Sequence, residues 1–318
     1  MKRLLPALVF GMSWVAFAVA LAGTPAGSWK PLSPLPTPRT EVAAALLDGT
    51  IFVLGGFTQS GIADQVEAWN PATGNWESRA PLPRPLHHTT ASVVDGKLYV
   101  IGGFYSGMWT PIDTTYEYDP KTDAWTEKSP MPTGRGGLAA AVIDGKIHCI
   151  GGAHRKLFRM VNTPAHEVYD PKTDKWESLP PLPTPRDHLA ASVFEGQLYV
   201  IGGRINVNYN DNLNVNEMYD PALRKWTALA PLPTPRSGIT SQVLAGKIHV
   251  LGGESAEKTF TENEAFDPKS GTWTAMAPMP EGRHGLASVA IGQTLHVMAG
   301  GPRPGGGGSN THLAFSLD

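Results

Sequence analysis

Six Gly-Gly pairs recur down this chain at nearly constant spacing: Gly55-Gly56, Gly102-Gly103, Gly151-Gly152, Gly202-Gly203, Gly252-Gly253 and Gly300-Gly301, at intervals of 47, 49, 51, 50 and 48 residues. Trp29, Trp76, Trp125, Trp176, Trp226 and Trp273 keep the same beat. A period near fifty is the mark of one supersecondary unit copied many times, each copy too small to bury its apolar face alone. Length by itself, 318 residues, allows about two domains. The repeat spans nearly all of it and argues for one.

One unit, Pro183 to Trp226, shows the local logic. Leu189-Ala190-Ala191-Ser192-Val193 is small and apolar enough for a buried strand. Glu195-Gly196 is a two-residue hairpin turn, with counterparts at Asp48-Gly49, Asp95-Gly96, Asp144-Gly145 and Ala245-Gly246. Leu198-Tyr199-Val200-Ile201 is a second strand ending at the glycines, and a third ends at Tyr219-Asp220-Pro221 before the Trp226 strand. Four short antiparallel strands per unit, six times over, predict an all-β protein, a six-bladed β-propeller.

This phased combination (an apolar strand ending in Gly-Gly, an aromatic-Asp/Asn-Pro turn and a Trp) resembles the kelch-repeat family across residues 29–318. The resemblance implies a kelch-type propeller and leaves function open. Phase also predicts how the ring closes. The chain opens with a Trp strand, Trp29 to Pro36, and ends with a third strand, Thr311 to Asp318, that has no Trp strand after it. The N-terminal strand is therefore expected to complete blade six.

Residues 1–22 read as a signal peptide: Lys2 and Arg3, an apolar run from Leu4 to Ala20 broken only by Ser13, then Ala20-Leu21-Ala22 before Gly23. A single domain, 23–318, follows. Cleavage leaves 24 basic residues against 28 acidic, a net of −4. That balance does not suit a nucleic-acid partner. One cysteine, Cys149, gives no disulfide framework, and no N-x-Ser/Thr acceptor is present. These features point to a secreted or periplasmic bacterial protein, monomeric, with no membrane span in the mature chain.

Several residues that imitate motifs belong to the repeat. His148, His249 and His296 occupy the second-strand position held elsewhere by Phe52, Tyr99 and Tyr199, and Cys149 lies in the same strand, so packing is the expected role. An Arg sixteen residues before Gly-Gly recurs as Arg39, Arg135, Arg186 and Arg236, with Arg283 one residue further off. A Glu two residues before the third-strand aromatic recurs as Glu67, Glu167, Glu217 and Glu264. Unit two replaces both, by Leu86 and Tyr116; unit six keeps Arg283 but carries Leu313. The joint loss predicts that Arg and Glu pair.

Candidate binding residues fall on the face built by the inter-blade links and the loops after Gly-Gly, where loop length varies. Trp109, in the loop from Phe104 and Tyr105 to Asp113, is out of phase with the repeat tryptophans and could offer a sugar or peptide platform. Asn206, Asn208, Asn210, Asn212, Asn214 and Asn216 alternate, so an extended chain would place six amides on one side. His87, His88, His188 and His284 follow the repeat Arg position and, with Glu41 and Asp187, are expected around the channel mouth, joined by His154, Arg155, Arg204, Glu254 and Arg303. Lacking a tight pair spacing, they are expected to line the channel without a metal, and no cofactor is expected.

The favoured expectation is a non-enzymatic module whose partner is a glycan or an extracellular or periplasmic protein. The alternative is a sugar-modifying kelch enzyme. Similarity to bacterial sialic-acid mutarotases implies a catalytic role for Glu254, which follows Gly253, although Ser255 to Phe260 supplies Lys258 and no Arg. Similarity to copper-radical oxidases of the galactose-oxidase kind implies a Cys-Tyr pair, for which Cys149 is the sole thiol.

Overall fold

The computed structural model describes residues 26–105 and 110–317. Residues 1–22, read above as a signal peptide, and Trp109 lie outside them. Among the described residues the regular structure is all strand, in six four-stranded antiparallel sheets arranged as blades, with three two-stranded hairpins on the loops. The innermost strands, Ala43–Leu47, Thr90–Val94, Ala139–Ile143, Ala190–Phe194, Thr240–Leu244 and Ala287–Ile291, pack against one another around a central channel. Blade six is completed by Ser28–Pro31, paired antiparallel with His312–Ser316 through Ser28↔Ser316 to Pro31↔Leu313.

Each repeated residue has one physical job. The tryptophan closes the outer seam: the six repeat indoles donate Nε1–H to a carbonyl of the preceding blade or link, Ala277, Ser33, Ala80, Ser129, Pro180 and Ala230 in turn, at 2.9–3.1 Å. The glycines close the inner seam. In blade four Gly202 holds φ 60°, and a Cβ there would lie 2.9 Å from the Arg236 carbonyl, while the next amide, Gly203 N, donates to that oxygen at 3.1 Å. The same bond recurs around the ring from Gly56, Gly103, Gly152, Gly253 and Gly300.

Blade six corrects the register read from sequence. Gly300, not Gly301, makes the inter-blade bond, to Arg39 O at 2.9 Å, and Ala299 takes the first-glycine conformation at φ 60°. The structural pair is thus Ala299-Gly300. Arg283 then stands sixteen residues before it like the other arginines, and its Nη1 donates to Ala299 O at 3.2 Å as Arg39 Nη1 does to Gly55 O at 3.1 Å.

The expected Arg–Glu pairs all form. Arg39–Glu67 (2.7 Å), Arg186–Glu217 (2.6 Å), Arg135–Glu167 and Arg236–Glu264 are buried bridges. A link threonine, Thr37, Thr133, Thr184 or Thr234, donates its hydroxyl to each Glu. Arg283, facing Leu313, turns instead to Glu281 and Ser309.

The second-strand histidines pack as expected, and they do so in polar pairs. His148 Nδ1 lies 2.9 Å from His166 Nε2, His296 Nδ1 lies 3.1 Å from His312 Nε2, and His249 Nδ1 meets Asn263 Oδ1 at 3.0 Å. Burial draws His148 down to about 4, His166 to about 3 and His312 to about 4. Their protons are therefore bound by the unfolded chain first. Stability is fully present above about pH 6.5, the ordinary histidine value, and falls as the pH drops from there toward 4. Position 166 is occupied by Asn216 and Asn263 in blades four and five, and Asn216 Nδ2 donates to Ala230 O as His166 Nδ1 meets Pro180 O. His166→Asn is expected to keep the fold and flatten the dependence. Urea melts at pH 7 and pH 5 check this; an unchanged slope in the variant refutes it.

Candidate functional site

Two residues after each repeat Arg position the backbone turns left-handed: Glu41, His88, Gly137, His188, Gly238 and Gly285 hold φ between 53° and 66°. These six residues form a ring at the channel mouth. Each carbonyl accepts an amide from the next blade at 2.8–3.3 Å, and the circle is completed by Val42 N to Gly285 O. The ring bounds a pocket of about 100 Å³ with an apolar collar of Val42, Leu138, Leu189, Ile239 and Leu286 beneath it. Glycine suits this conformation, and a side chain there costs about 1 kcal/mol or more. Three of the six positions carry one regardless.

Those three side chains enter one polar network. His88 Nε2 stands 3.2 Å from Glu41 Oε2, and His284 Nδ1 stands 2.9 Å from Glu41 Oε1 and 3.5 Å from Glu254 Oε2. Arg204 reaches across, with Nε 3.0 Å from Asp187 Oδ1, Nη1 3.1 Å from Glu254 Oε1 and Nη2 2.8 Å from His188 Nε2. His188 Nδ1 bonds Asp187 Oδ1. A guanidinium only donates, so His188 is the tautomer that accepts at Nε2 and donates from Nδ1 to Asp187. His88 places its proton toward Glu41, leaving Nδ1 to accept from His87 Nδ1 at 2.5 Å.

The charges follow. Burial alone would lower His284, but the hydrogen bond and charge of Glu41, aided by Glu254, outweigh it and hold the imidazole above its ordinary value. Burial would likewise raise Glu41; His88 and His284 offset it and carry the carboxyl well below the usual range. Burial draws His88 well down against the pull of Glu41, so of the two imidazoles on Glu41 it is His284 that holds its proton more firmly. Asp187, which burial would raise, is lowered by His188, Arg204 and Asn162.

Glu41, His88 and His188 bring ligand atoms within 4.8 Å of one another, a possible metal donor set. Arg204 argues against that use, because a cation would have to displace the guanidinium from His188 Nε2.

Not every expected site residue is on the surface. Phe104 and His87 are fully buried, their rings 5.5 Å apart, and belong to the packing beneath the loops. Tyr105 is half-buried with the Arg84 guanidinium 4.3 Å over its ring. The asparagine row does not form. Residues 206–210 fold into turns, with Asn206 and Val207 left-handed, because the amides satisfy their own loop: Asn206 binds Asp211 and Asn208 accepts from Asn210 N, while Asn212 reaches out of it to donate to Glu254 O of blade five at 2.6 Å. That loop lays Tyr209 5.7 Å from Arg204. The Gly-rich loop of blade six completes the cover, Gly305 N donating to Glu254 Oε2 at 2.7 Å, and Arg303 beside it is exposed. His154 is half-buried and Arg155 exposed on a neighbouring hairpin, whose Asn162 joins the network by donating to Asp187 Oδ2.

A family model described as the KLHDC2/KLHL20/DRC7 Kelch-repeats domain matches residues 24–152 and 168–301. The mouse influenza virus NS1A-binding protein homolog is 54% identical over 37 residues, 12% of this chain and 6% of that protein. The Kelch-like protein terF of Aspergillus terreus (strain NIH 2624 / FGSC A1156) is 44% identical over 36 residues, 11% of this chain and 8% of that protein. Both similarities thus span about one repeat and a small part of the relatives' length. The solved structure of YjhT superposes with a TM-score of 0.78 over 88% of this chain and 95% of its own, at 17% identity, which speaks for a shared fold.

Proposed function

Because the chain belongs to the kelch-repeat family, we propose that it is an exported binding module whose channel-mouth face recognises a glycan. One observation carries this reading: the backbone ring is satisfied by glycine at Gly137, Gly238 and Gly285, yet Glu41, His88 and His188 occupy equivalent left-handed positions. The fold does not require these side chains; all three line the mouth pocket and present an array of donors and acceptors there, which the buried Arg204, Asp187, Glu254 and His284 hold in place from behind. Such an array complements sugar hydroxyls, each of which both donates and accepts. Half-buried Tyr105 and Tyr209 stand on the loops above it. Export belongs to the same reading, through Lys2, Arg3 and the apolar run ending at Ala22.

Binding is favoured over sugar-modifying catalysis by the state of Glu254. It is buried, with one oxygen on Arg204 and the other on Gly305 N. A general acid or base needs an oxygen within reach of substrate. Cys149 is equally ill placed for a copper-radical centre: it is fully buried in the second strand of blade three, and burial pushes its thiol up to about 12.

The test is a glycan array with residues 23–318 beside His88→Gly. Glycine relieves the φ of 53° at this position, so stability is expected to stay within about 1 kcal/mol of the parent. Binding is expected to fall at least tenfold. A parent blank on glycans yet selective on a peptide array would overturn the glycan reading. Equal binding by His88→Gly would remove the site.

A further inference from the structure

The hairpin between the second and third strands of blade three, Ala153–Lys156 paired with Arg159–Asn162, ends in a two-residue turn, Leu157-Phe158. These side chains are 85% and 98% exposed. Among the described residues the other strongly exposed large apolar side chain, Leu223, sits alone in an Asp-Pro turn on the opposite face, which is ordinary.

Three local rules are broken at this tip at once. A tight hairpin turn favours Asn or Gly, yet Leu157 is left-handed at φ 54°. Two large apolar groups stand in water. Lys156 and Arg159 face each other directly in the register, a like-charge pair that weakens a hairpin. Arg155 adds a third cation, and no Asp or Glu occurs between Asp144 and Glu167. The left-handed Leu157, the exposed apolar pair and the Lys156–Arg159 repulsion do not favour folding, and rule-breaking without benefit to folding marks a functional segment.

We propose that this hairpin docks the protein on an anionic phospholipid bilayer, Leu157 and Phe158 entering the headgroup–acyl boundary while Arg155, Lys156 and Arg159 contact lipid phosphates. An apolar tip with a basic collar is the arrangement such an interface selects, and an anionic surface converts the Lys156–Arg159 repulsion into shared attraction. The chain as a whole is net −2, so the attraction is local to the hairpin. The hairpin projects from the same face as the channel mouth, which docking would turn toward the membrane.

Co-sedimentation of the full mature chain with glycolipid-free vesicles tests this, using phosphatidylcholine alone or with 30% phosphatidylglycerol (roughly the anionic content that gives a useful surface potential). Binding is expected only with the anionic lipid and is expected to fade with salt. Leu157→Asn with Phe158→Gly fits the turn better, so the melting temperature should hold while partitioning falls by about tenfold or more. Replacing Arg155, Lys156 and Arg159 by Gln should remove about fivefold per cation. No preference for anionic vesicles, or undiminished binding by the Asn-Gly variant, overturns the proposal. The glycan reading can fail on its array without affecting either result.

Discussion

Arg186→Ala is expected to destabilise the propeller by about 3–5 kcal/mol, and Glu217→Ala by a similar amount, because each strands a buried charge. Arg186 is the stitch between two blades. Its carbonyl accepts Gly152 N of blade three at 2.9 Å, while its guanidinium serves blade four through Gly202 O at 2.7 Å, Val200 O at 2.9 Å and Glu217 at 2.6 Å. Removing both charges should cost much less than the sum, with a coupling energy of about 2–3 kcal/mol in a denaturant-melt cycle. Blade two indicates the compensated form: Leu86 and Tyr116 stand at the equivalent positions and both are buried. Arg186→Leu with Glu217→Tyr should therefore recover most of the loss. Additive single mutants would mean that the bridge is incidental.

The internal comparison exposed that bridge in the sequence because blade two loses both partners together. Strand phase, ring closure and the seam tryptophans were legible for a related reason: each is a per-repeat requirement, restated six times. The channel-mouth network was only half legible. Three glycines, Gly137, Gly238 and Gly285, at the same offset from the repeat Arg position signal a left-handed ring, and from that signal Glu41, His88 and His188 stand out as exceptions. What could not be read was which side chains meet. Arg204 and Glu254 are fifty residues apart and come together only through the sixfold placement of their blades. Loop conformation was the weakest reading. Alternating asparagines fit an extended strand as well as a chain of turns, and local amide bonding decides for turns. The blade-six register misled for a physical reason as well: Ala299 accepts φ 60°, so the visible Gly300-Gly301 pair is displaced by one from the working one.

Deleting residues 23–31 is expected to lower the melting temperature by roughly 10–20 °C or to drive aggregation. The lost strand does more than add a fourth ladder to blade six. Trp29 packs on Phe315 with ring centroids 5.0 Å apart, its indole donates to Ala277 O at 2.9 Å, and Ala26 O accepts Ala277 N at 3.0 Å, so one segment ties blade six to blade five. Without it His312–Ser316 becomes an open edge, a template for pairing with another chain, and Phe315 loses its cover. Because each blade contacts only its neighbours, an unsealed seam frays in both directions. A permutant separates the loss of the strand from the loss of sequence. Joining Ser316 to Ser28 through an Asp-Pro turn copied from Asp220–Lys225, and opening the chain at the exposed turn around Lys121, supplies the same strand from the other side. Its melting temperature should match the parent's within a few degrees, because all seams then survive. A truncated chain as soluble and heat-stable as the parent would show that the seam between blades five and six holds without Trp29, and that ring closure contributes little to this fold.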